Sequence, residues 1–433
     1  MYTYIKTMPT VTDVDVLVCG VGCAGVGAAV AAARMGARTV AVDRMGFAGG
    51  FLRAVVGAGL DGMFDDTTGR VVVGGVAMEM VERMGIFRGD WLATRFNRHA
   101  EQESLHDHPE RTTLHSDPEK FKHAADALLT EAGVALRYHT RIVDVVLRGE
   151  RIEAVIVADK GGLTAIRAAI VVDCTGDGDV AAWAGAPFET SSVAQPGSLH
   201  FRIGNVAATW ELRARMSEAL ATAHREGRLG NYGGPWLAAF APNDLYVNAV
   251  RLTGGGTDPA ALTAMEMQGR ADAWAMFAEW QATLPEFADA HFITSGPNAG
   301  MRETRRITGH ATLTADDVRA GQPQEDAIVR GCWPLDRHPR GAEGHHVEPR
   351  VPPYDIAYRT LLPHRVENLL VAGRCHSATS EAAASSRVTI TAMGMGQGAG
   401  VAAALAARNR IFPASVDSRS LQQHLRDQGA LLD

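Results

Sequence analysis

Residues 13–50, DVDVLVCGVGCAGVGAAVAAARMGARTVAVDRMGFAGG, constrain the fold more than any other stretch. Val14, Val16, Leu17 and Val18 make a short apolar, β-branched run of the kind carried by a strand buried on both faces. The run stops at Gly20-Val21-Gly22-Cys23-Ala24-Gly25, a G-x-G-x-x-G opening an Ala-rich segment that reads as a helix to about Met35. Gly36 ends that helix, Thr39–Val42 reads as the next strand, and Asp43 stands at its tip. An acid there, about 20 residues past the glycines, can grip a ribose hydroxyl. Gly20 permits the tight turn, Gly22 lets backbone approach a pyrophosphate, and Gly25 lets the helix lie close to the strand. Free amides and the dipole at the helix start then hold phosphates. A lone glycine motif is weak, since a glycine-rich α/β turn satisfies it. Strand, loop, helix, strand and terminal acid in series predict a dinucleotide-binding, Rossmann-like unit.

At 433 residues the chain exceeds one ordinary domain, and two intertwined units are expected. Its 46% hydrophobic and 21% charged residues are those of a globular protein with ample core. A net charge of −7 gives no electrostatic footprint for nucleic acid or an anionic membrane. Five cysteines, Cys19, Cys23, Cys174, Cys332 and Cys375, are scattered without a C-x-x-C pair, so reduced thiols in a cytoplasmic setting are expected. The amino terminus lacks the apolar core of a signal peptide. The late Gly/Ala-rich segment TAMGMGQGAGVAAALAA is short for a membrane span and reads as a packed helix.

Met45 to Arg53 carries paired glycines, Gly49-Gly50, as a second loop passing a bulky ligand needs, although a simple turn explains them too. A helix is expected near VAMEMVERMG, and His106, His108 and His115 have no metal-site spacing, so no metal is expected. Asp117-Pro118 starts a helix as N-cap and first-turn proline. A β-meander follows through Leu136, Val143 and Val155, then a core strand ending at Asp173. Beyond it, Gly176-Asp177-Gly178-Asp179 is either a second contact to a sheet-bound cofactor or a plain helix cap. LHFRIGN and LYVNAVRLTGGG read as strands, and the helix PAALTAMEMQGRADAWAMFAEWQATLPEF is expected to bury Trp274, Phe277 and Trp280. The cationic run from Arg302 to His310 is equally well a solvated face or an anion site. Asn368 to Ala372 is one more strand, ending at Gly373-Arg374-Cys375-His376, and a closing helix begins near Thr391.

With these motifs in order, the chain resembles the FAD-dependent oxidoreductases allied to the fumarate-reductase and glutathione-reductase flavoproteins. The likeness rests on the first glycine segment, GFAGG, VVDCTGDGDVAAWAGAPFE, MRETRRITGHATLTADDV and VPPYDIAYRTLLPHRVENLLVAGRCHSATSEAAASSRVTITAMGMGQGAG. It implies an α/β fold: a Rossmann-like FAD-binding domain with parallel sheet, β-meander and helices, plus an inserted α+β cap. The discontinuous FAD-binding domain would take 12–60, 115–190 and 350–410, the substrate cap 190–345, and 61–114 is an insertion of uncertain assignment. FAD would meet Gly20, Gly22, Cys23, Ala24 and Gly25 at its pyrophosphate, Asp43 at the ribose, and Arg44 and Val143 at the adenine. Gly49 and Gly50 would pass the pyrophosphate and ribityl chain, and Gly176 with Asp177 would close over the adenosine half. Gly373 and Arg374 would approach the ribityl chain, and Met393, Gly394 and Gln397 the pyrimidine edge.

The departures are Cys23, where such loops often hold proline, and His376, where an apolar residue is usual. No Cys-x-x-x-x-Cys pair follows the first loop and no second G-x-G-x-x-G exists, which argues against a disulfide reductase and a dedicated NAD(P)H domain. The implied activity is hydride transfer between flavin N5 and a small polar or anionic organic molecule. Arg387 is the first candidate to hold a substrate carboxylate or carbonyl, His376 the candidate acid or base, and Arg302 and Arg305 further candidates from the cap. The alternatives are an FAD-containing isomerase or dehydratase without net redox and, against the acidic balance, a flavoprotein acting on a macromolecule such as RNA. Cys375 and His376 make covalent flavin attachment worth checking; the electron partner is open, and a homodimer is the default.

Overall fold

The computed structural model describes residues 5–57, 59–65, 67–85, 114–338, 346–347 and 350–433. His106 and His108 lie outside them, as do most of 61–114 and the side chain of His115. The main sheet runs Ala135–Arg137, Thr39–Val42, Thr10–Cys19, Gly162–Asp173, all parallel, with Leu369–Val371 also parallel against the last. Val16 to Cys19 are fully buried, as the continuous apolar run requires when both faces of a parallel sheet are covered. The meander adds Arg151–Asp159 and Arg141–Arg148 antiparallel, and the outermost strand leaves Val146 and Leu147 exposed.

Gly162–Asp173 has two neighbours on one side. Its start pairs with the meander and its end with Leu369–Val371. Asn368 closes the gap between them: its side chain takes the Ile152 amide at 2.9 Å and donates to the carbonyls of Ile152 at 3.0 Å and Ala169 at 3.3 Å. The residue is wholly buried. Asn368→Ala would leave these groups without partners, and a loss of about 1–3 kcal/mol is expected in chemical denaturation. An unchanged midpoint would mean that the junction is not under this constraint.

The first helix, Cys23–Arg34, crosses the closing helix Thr389–Asn409 backbone to backbone. A Cβ on Gly27 would stand 2.2 Å from the Met393 carbonyl oxygen, and one on Gly396 1.9 Å from that of Ala24. The small-residue pattern of both helices is thus a packing requirement. Thr389–Asn409 is long and apolar enough to cross a membrane, but 94% of its apolar window is buried inside the protein. It is a core helix.

The cap carries its own antiparallel sheet, ordered Tyr232–Ala241, Asp244–Val250, His200–Gly204, His291–Ser295. Helices Trp210–Arg225 and Pro259–Thr283 pack on it, around Phe201, Met216, Phe277, Trp280 and Phe287. Trp274 corrects the sequence expectation: it is 56% exposed, stacked on Phe292 at 4.4 Å, while Phe277 and Trp280 are buried. An aromatic at a helix edge can shield a neighbour without entering the core. The cap meets the glycine loops directly, because a Cβ on Gly300 would fall on the Phe51 ring and Asn298 donates to the Ala54 carbonyl.

Candidate active site

The loop after Thr10–Cys19 is drawn tight by the backbone and by one acid. Gly20 donates to the Val42 carbonyl at 2.9 Å, and the Asp43 carboxylate accepts from the amides of Val21 at 2.6 Å and Met45 at 2.8 Å. Burial pushes the Asp43 carboxyl up from its ordinary value, against the pull of those two amides. Gly25 has no room for a side chain, since a Cβ would stand 1.9 Å from the Gly20 carbonyl oxygen. Gly22 is different. It is the N-cap of Cys23–Arg34, no side chain caps that helix, and its first turn holds no acid. A Cβ there would meet nothing nearer than Gly50 Cα at 3.8 Å.

Around this uncapped helix start the other glycine segments converge. Gly49 donates to the Val21 carbonyl at 2.9 Å, and Cys23 Sγ approaches the Gly49 carbonyl at 3.7 Å. Gly373 rests on Ala24, whose Cβ would be 2.9 Å from a Cβ added at 373. Amides, open space and the positive end of a helix therefore coincide, which is what a pyrophosphate needs.

Further along the sheet edge, Asp177 accepts from Arg374 at 2.7 Å and Thr304 at 2.8 Å. Burial works against the Asp177 carboxylate, but Arg374, Thr304 and Arg44 outweigh it and hold its carboxyl below the ordinary range. Gly176 (φ +78°) curls under Arg374. Arg44 is exposed beside this loop, and Val143 sits at the irregularity in the meander ladder between Ile142 and Asp144. Arg305, expected at the substrate, instead donates to the Asp177 carbonyl at 3.0 Å and Asp179 at 2.8 Å, and lies over the Phe188 ring.

The closing helix starts at Thr389, two residues before the sequence expectation, with Val388 as an N-cap that offers no side-chain bond. Met393, Gly394 and Gln397 are consequently inside the helix and buried. Gly394 faces Val329, and Gln397 accepts from the Val76 amide at 3.0 Å, capping the helix Val76–Arg83. In the first turn, Thr391 Oγ1 is buried without a partner.

Arg387 immediately precedes that helix. Its guanidinium reaches the Gln195 side-chain oxygen at 3.5 Å and the Asp336 carbonyl at 3.4 Å, and its Nε is buried without a partner. Arg302, from the cap side, donates to the Pro196 carbonyl at 2.8 Å and to Ser198 at 3.2 Å. Burial lowers both guanidinium pKa values; for Arg302 the second cause is Arg387 itself, and its value falls to about 9. His338 pairs with Asp336 at 3.2 Å and meets the Trp236 ring edge-on, and Arg251 lies over the same ring. Burial, with the Arg302 charge, drives His338 down to about 3. His200 binds Tyr246 Oη at 2.8 Å, and its Nε2 is buried without a partner. His376 is also buried, pushed down to about 4, with Nε2 on Ser386 at 2.8 Å and Nδ1 unpartnered. Cys375 is fully buried with its thiol on the Asp173 and Ala372 carbonyls at 3.8 Å.

Arg302 and Arg387, distant in sequence, are thus brought together, and Gln195, Arg251, Asp336 and His338 join them unannounced by any motif. The one available signal was a charged residue closing an apolar strand, as in LYVNAVR, or a paired acid and imidazole in WPLDRH.

A parallel sheet with an uncapped glycine-loop helix and a cluster of polar side chains beside it is the arrangement of a dinucleotide-dependent enzyme. The sequence matches the family model described as FAD dependent oxidoreductase over residues 15–425, and the chain belongs to that family. It is an FAD-dependent oxidoreductase, and FAD is its cofactor. No match is found among curated proteins. Among solved structures it is similar to a geranylgeranyl bacteriochlorophyll reductase-like protein from Thermoplasma acidophilum, at 12% identity over 98% of this chain and 83% of that one, TM-score 0.47. It is also similar to the myxobacterial chondrochloren halogenase, at 13% over 97% and 79%, TM-score 0.48. A third is L-proline dehydrogenase from P. horikoshii, at 11% over 96% and 99%, TM-score 0.45. Likenesses at this level name no substrate for this chain. The residues present fit FAD: the open space over Gly22, the acid at Asp43 and the unpartnered Thr391 Oγ1 all suit the group.

Proposed function

We propose that this protein catalyses two-electron oxidation or reduction of a small anionic organic molecule held beneath the cap. The observation that carries this reading is the pair of buried Arg302 and half-buried Arg387, whose hydrogen bonds all go to uncharged acceptors. Two guanidiniums brought together out of water repel one another, and an anionic substrate between them offsets that cost. FAD contributes acceptance or donation of the electron pair as hydride. The protein does the rest. Arg387 and Arg302 orient the anion, and the cap shields it from water. His338, kept neutral by burial and oriented by Asp336, is able to offer a hydrogen-bond acceptor to the hydroxyl or amine that is oxidised. His376, also neutral, is the second imidazole for that role.

The test is anaerobic titration of the FAD-loaded protein with hydroxy, amino and saturated acids while following the visible flavin bands. Bleaching by one of them, reversed by an acceptor, identifies the substrate. Arg387→Met is expected to weaken its binding about 10- to 100-fold, the ~1.5–3 kcal/mol carried by hydrogen bonds to a charged group. Bleaching by uncharged compounds alone would defeat the reading.

A further inference from the structure

At the opposite end of the main sheet from the glycine loops lies a cavity that the redox site does not use. Its volume is about 390 Å³, within the range of small-molecule sites. It forms where two strands depart from regular pairing. The start of Thr10–Cys19 bulges between Val11 and Val14, with Asp13 at φ +62°. On the other side of Gly162–Asp173 the meander gives way to Leu369–Val371, beside Ile152 and Ala169. The small side chains of Ala168 and Ala169 leave the space between them open. Val14 is six residues from Gly20 along a strand, or about 20 Å, so the cavity is separate from the pyrophosphate loop.

The hairpin end of the meander supplies the charge. Arg148 and Arg151 stand directly opposite one another across the turn Gly149-Glu150, and both line the cavity. Cross-strand partners share a face with Cβ atoms about 5 Å apart, and like charges so placed are destabilising. Among the described residues no hydrogen bond or ion pair reaches either guanidinium. The two acids of the lining are answered by other arginines: Glu153 by Arg167 at 3.2 Å, Asp13 by Arg38 at 3.6 Å. The backbone beneath the pair is fixed. The Glu367 amide donates to the Glu150 carbonyl at 2.8 Å, and the Ile152 amide donates to the Asn368 side chain at 2.9 Å. A hairpin pinned in place with its closing pair in repulsion gains nothing for the fold, whereas an anion between the two guanidiniums turns the repulsion into attraction.

We infer that Arg148 and Arg151 form a second anion site, which takes a phosphate group and is distinct from the site of the FAD pyrophosphate. Two guanidiniums facing one gap call for two negative charges on one compact group, which a phosphate dianion supplies and a carboxylate does not. Arg167 contributes by neutralising Glu153, which would otherwise oppose the anion. Val14, Ala168 and Ala169 give the remaining space an apolar lining, so a phosphate ester of a small organic body fits better than the free ion.

The test is calorimetric titration of the FAD-loaded protein with inorganic phosphate, ribose 5-phosphate and acetate at about pH 8, where the phosphate groups are dianions. Both phosphates are expected to bind at least about tenfold tighter than acetate. A tighter ester identifies the ligand as an esterified phosphate, and equal affinities identify it as the free ion. The double variant Arg148→Gln, Arg151→Gln is expected to lose at least about tenfold in phosphate affinity with flavin content and visible spectrum unchanged. Because it also removes a repulsion, its melting temperature without phosphate should equal or exceed that of the unaltered protein, which separates lost binding from lost fold. Phosphate binding undiminished in the variant would overturn the inference. So would acetate binding as tightly as phosphate, no binding of either phosphate at millimolar concentration, or a variant that melts lower, since the pair would then serve the fold itself.

Discussion

Gly22→Asp is expected to abolish FAD retention while leaving the chain folded and slightly more stable without cofactor. Gly22 is the N-cap of Cys23–Arg34, with φ −69° and ψ −171°, an extended conformation that any residue adopts. Aspartate is a better N-cap than glycine, by a few tenths of a kcal/mol. A side chain at this position enters open space, its Cβ meeting only Gly50 Cα at 3.8 Å. That space is where the helix amides would receive the pyrophosphate. A carboxylate about 4 Å from a phosphate charge costs about 4 kcal/mol at an effective dielectric of 20, or roughly a thousandfold in affinity. Flavin absorbance after gel filtration and thermal melting of the cofactor-free protein read the two effects separately. A yellow, FAD-saturated Gly22→Asp protein would show that the pyrophosphate is bound elsewhere. Gly25→Ala must behave differently, because its methyl collides with the Gly20 carbonyl whether or not FAD is bound.

The contrast between Gly22 and Gly25 also marks how far the chain can be read without coordinates. Short-range rules suffice for the strand, glycine turn, helix and terminal acid, because each is decided within a few residues. The Asp117 N-cap was legible for the same reason, and it accepts from the Glu119 amide at 2.9 Å. What escaped is non-local. Nothing in the string assigns the Gln397 amide to the Val76 N–H, 321 residues away. Helical Gly and Ala in TAMGMGQGAG pointed to close packing, but whether Gly394 faces flavin or Val329 depends on where the helix starts. That start fell at Thr389 because Val388 is extended. Trp274 was assigned to the core by its neighbours' period, yet its place at the rim depends on the edge strand His291–Ser295.

The polar cluster was the least legible feature, for a physical reason. Arg302 and Arg305 stand three residues apart in one cationic run, yet only Arg302 turns toward Arg387. Arg305 is drawn off by Asp177 and Asp179. Competition among carboxylates contributed by distant loops decides which arginine is left for a ligand. Composition cannot rank such rivals, and an arginine run in sequence therefore reads as ambiguous until the acids are located.

Arg306 shows the same competition resolved toward stability, and the largest loss of folding energy is expected there. Its guanidinium, 6% exposed, pairs with Glu303, donates to the Ala378 carbonyl at 3.0 Å and to Ser191 at 3.0 Å. Glu303, 2% exposed, also receives the Ser191 hydroxyl and the Gln195 amide. The pair thereby joins the Gln195 segment to the loop after Cys375, across the boundary between cap and sheet. Glu303→Ala strands the arginine without its buried counter-charge, and such a break costs about 3–5 kcal/mol. Glu189, 3.5 Å from Arg306 but 71% exposed, can recover only part of it, so the lower half of that range is expected in chemical denaturation. Glu303→Gln keeps the hydrogen bonds and should lose less. Gln195 loses its amide anchor in either case, so substrate affinity should fall even in protein that remains folded, with kcat less affected than KM. A Glu303→Ala protein within about 1 kcal/mol of the unaltered chain would mean that Arg306 finds water or another acceptor when the acid is gone, and that the cap is held by its apolar contacts alone.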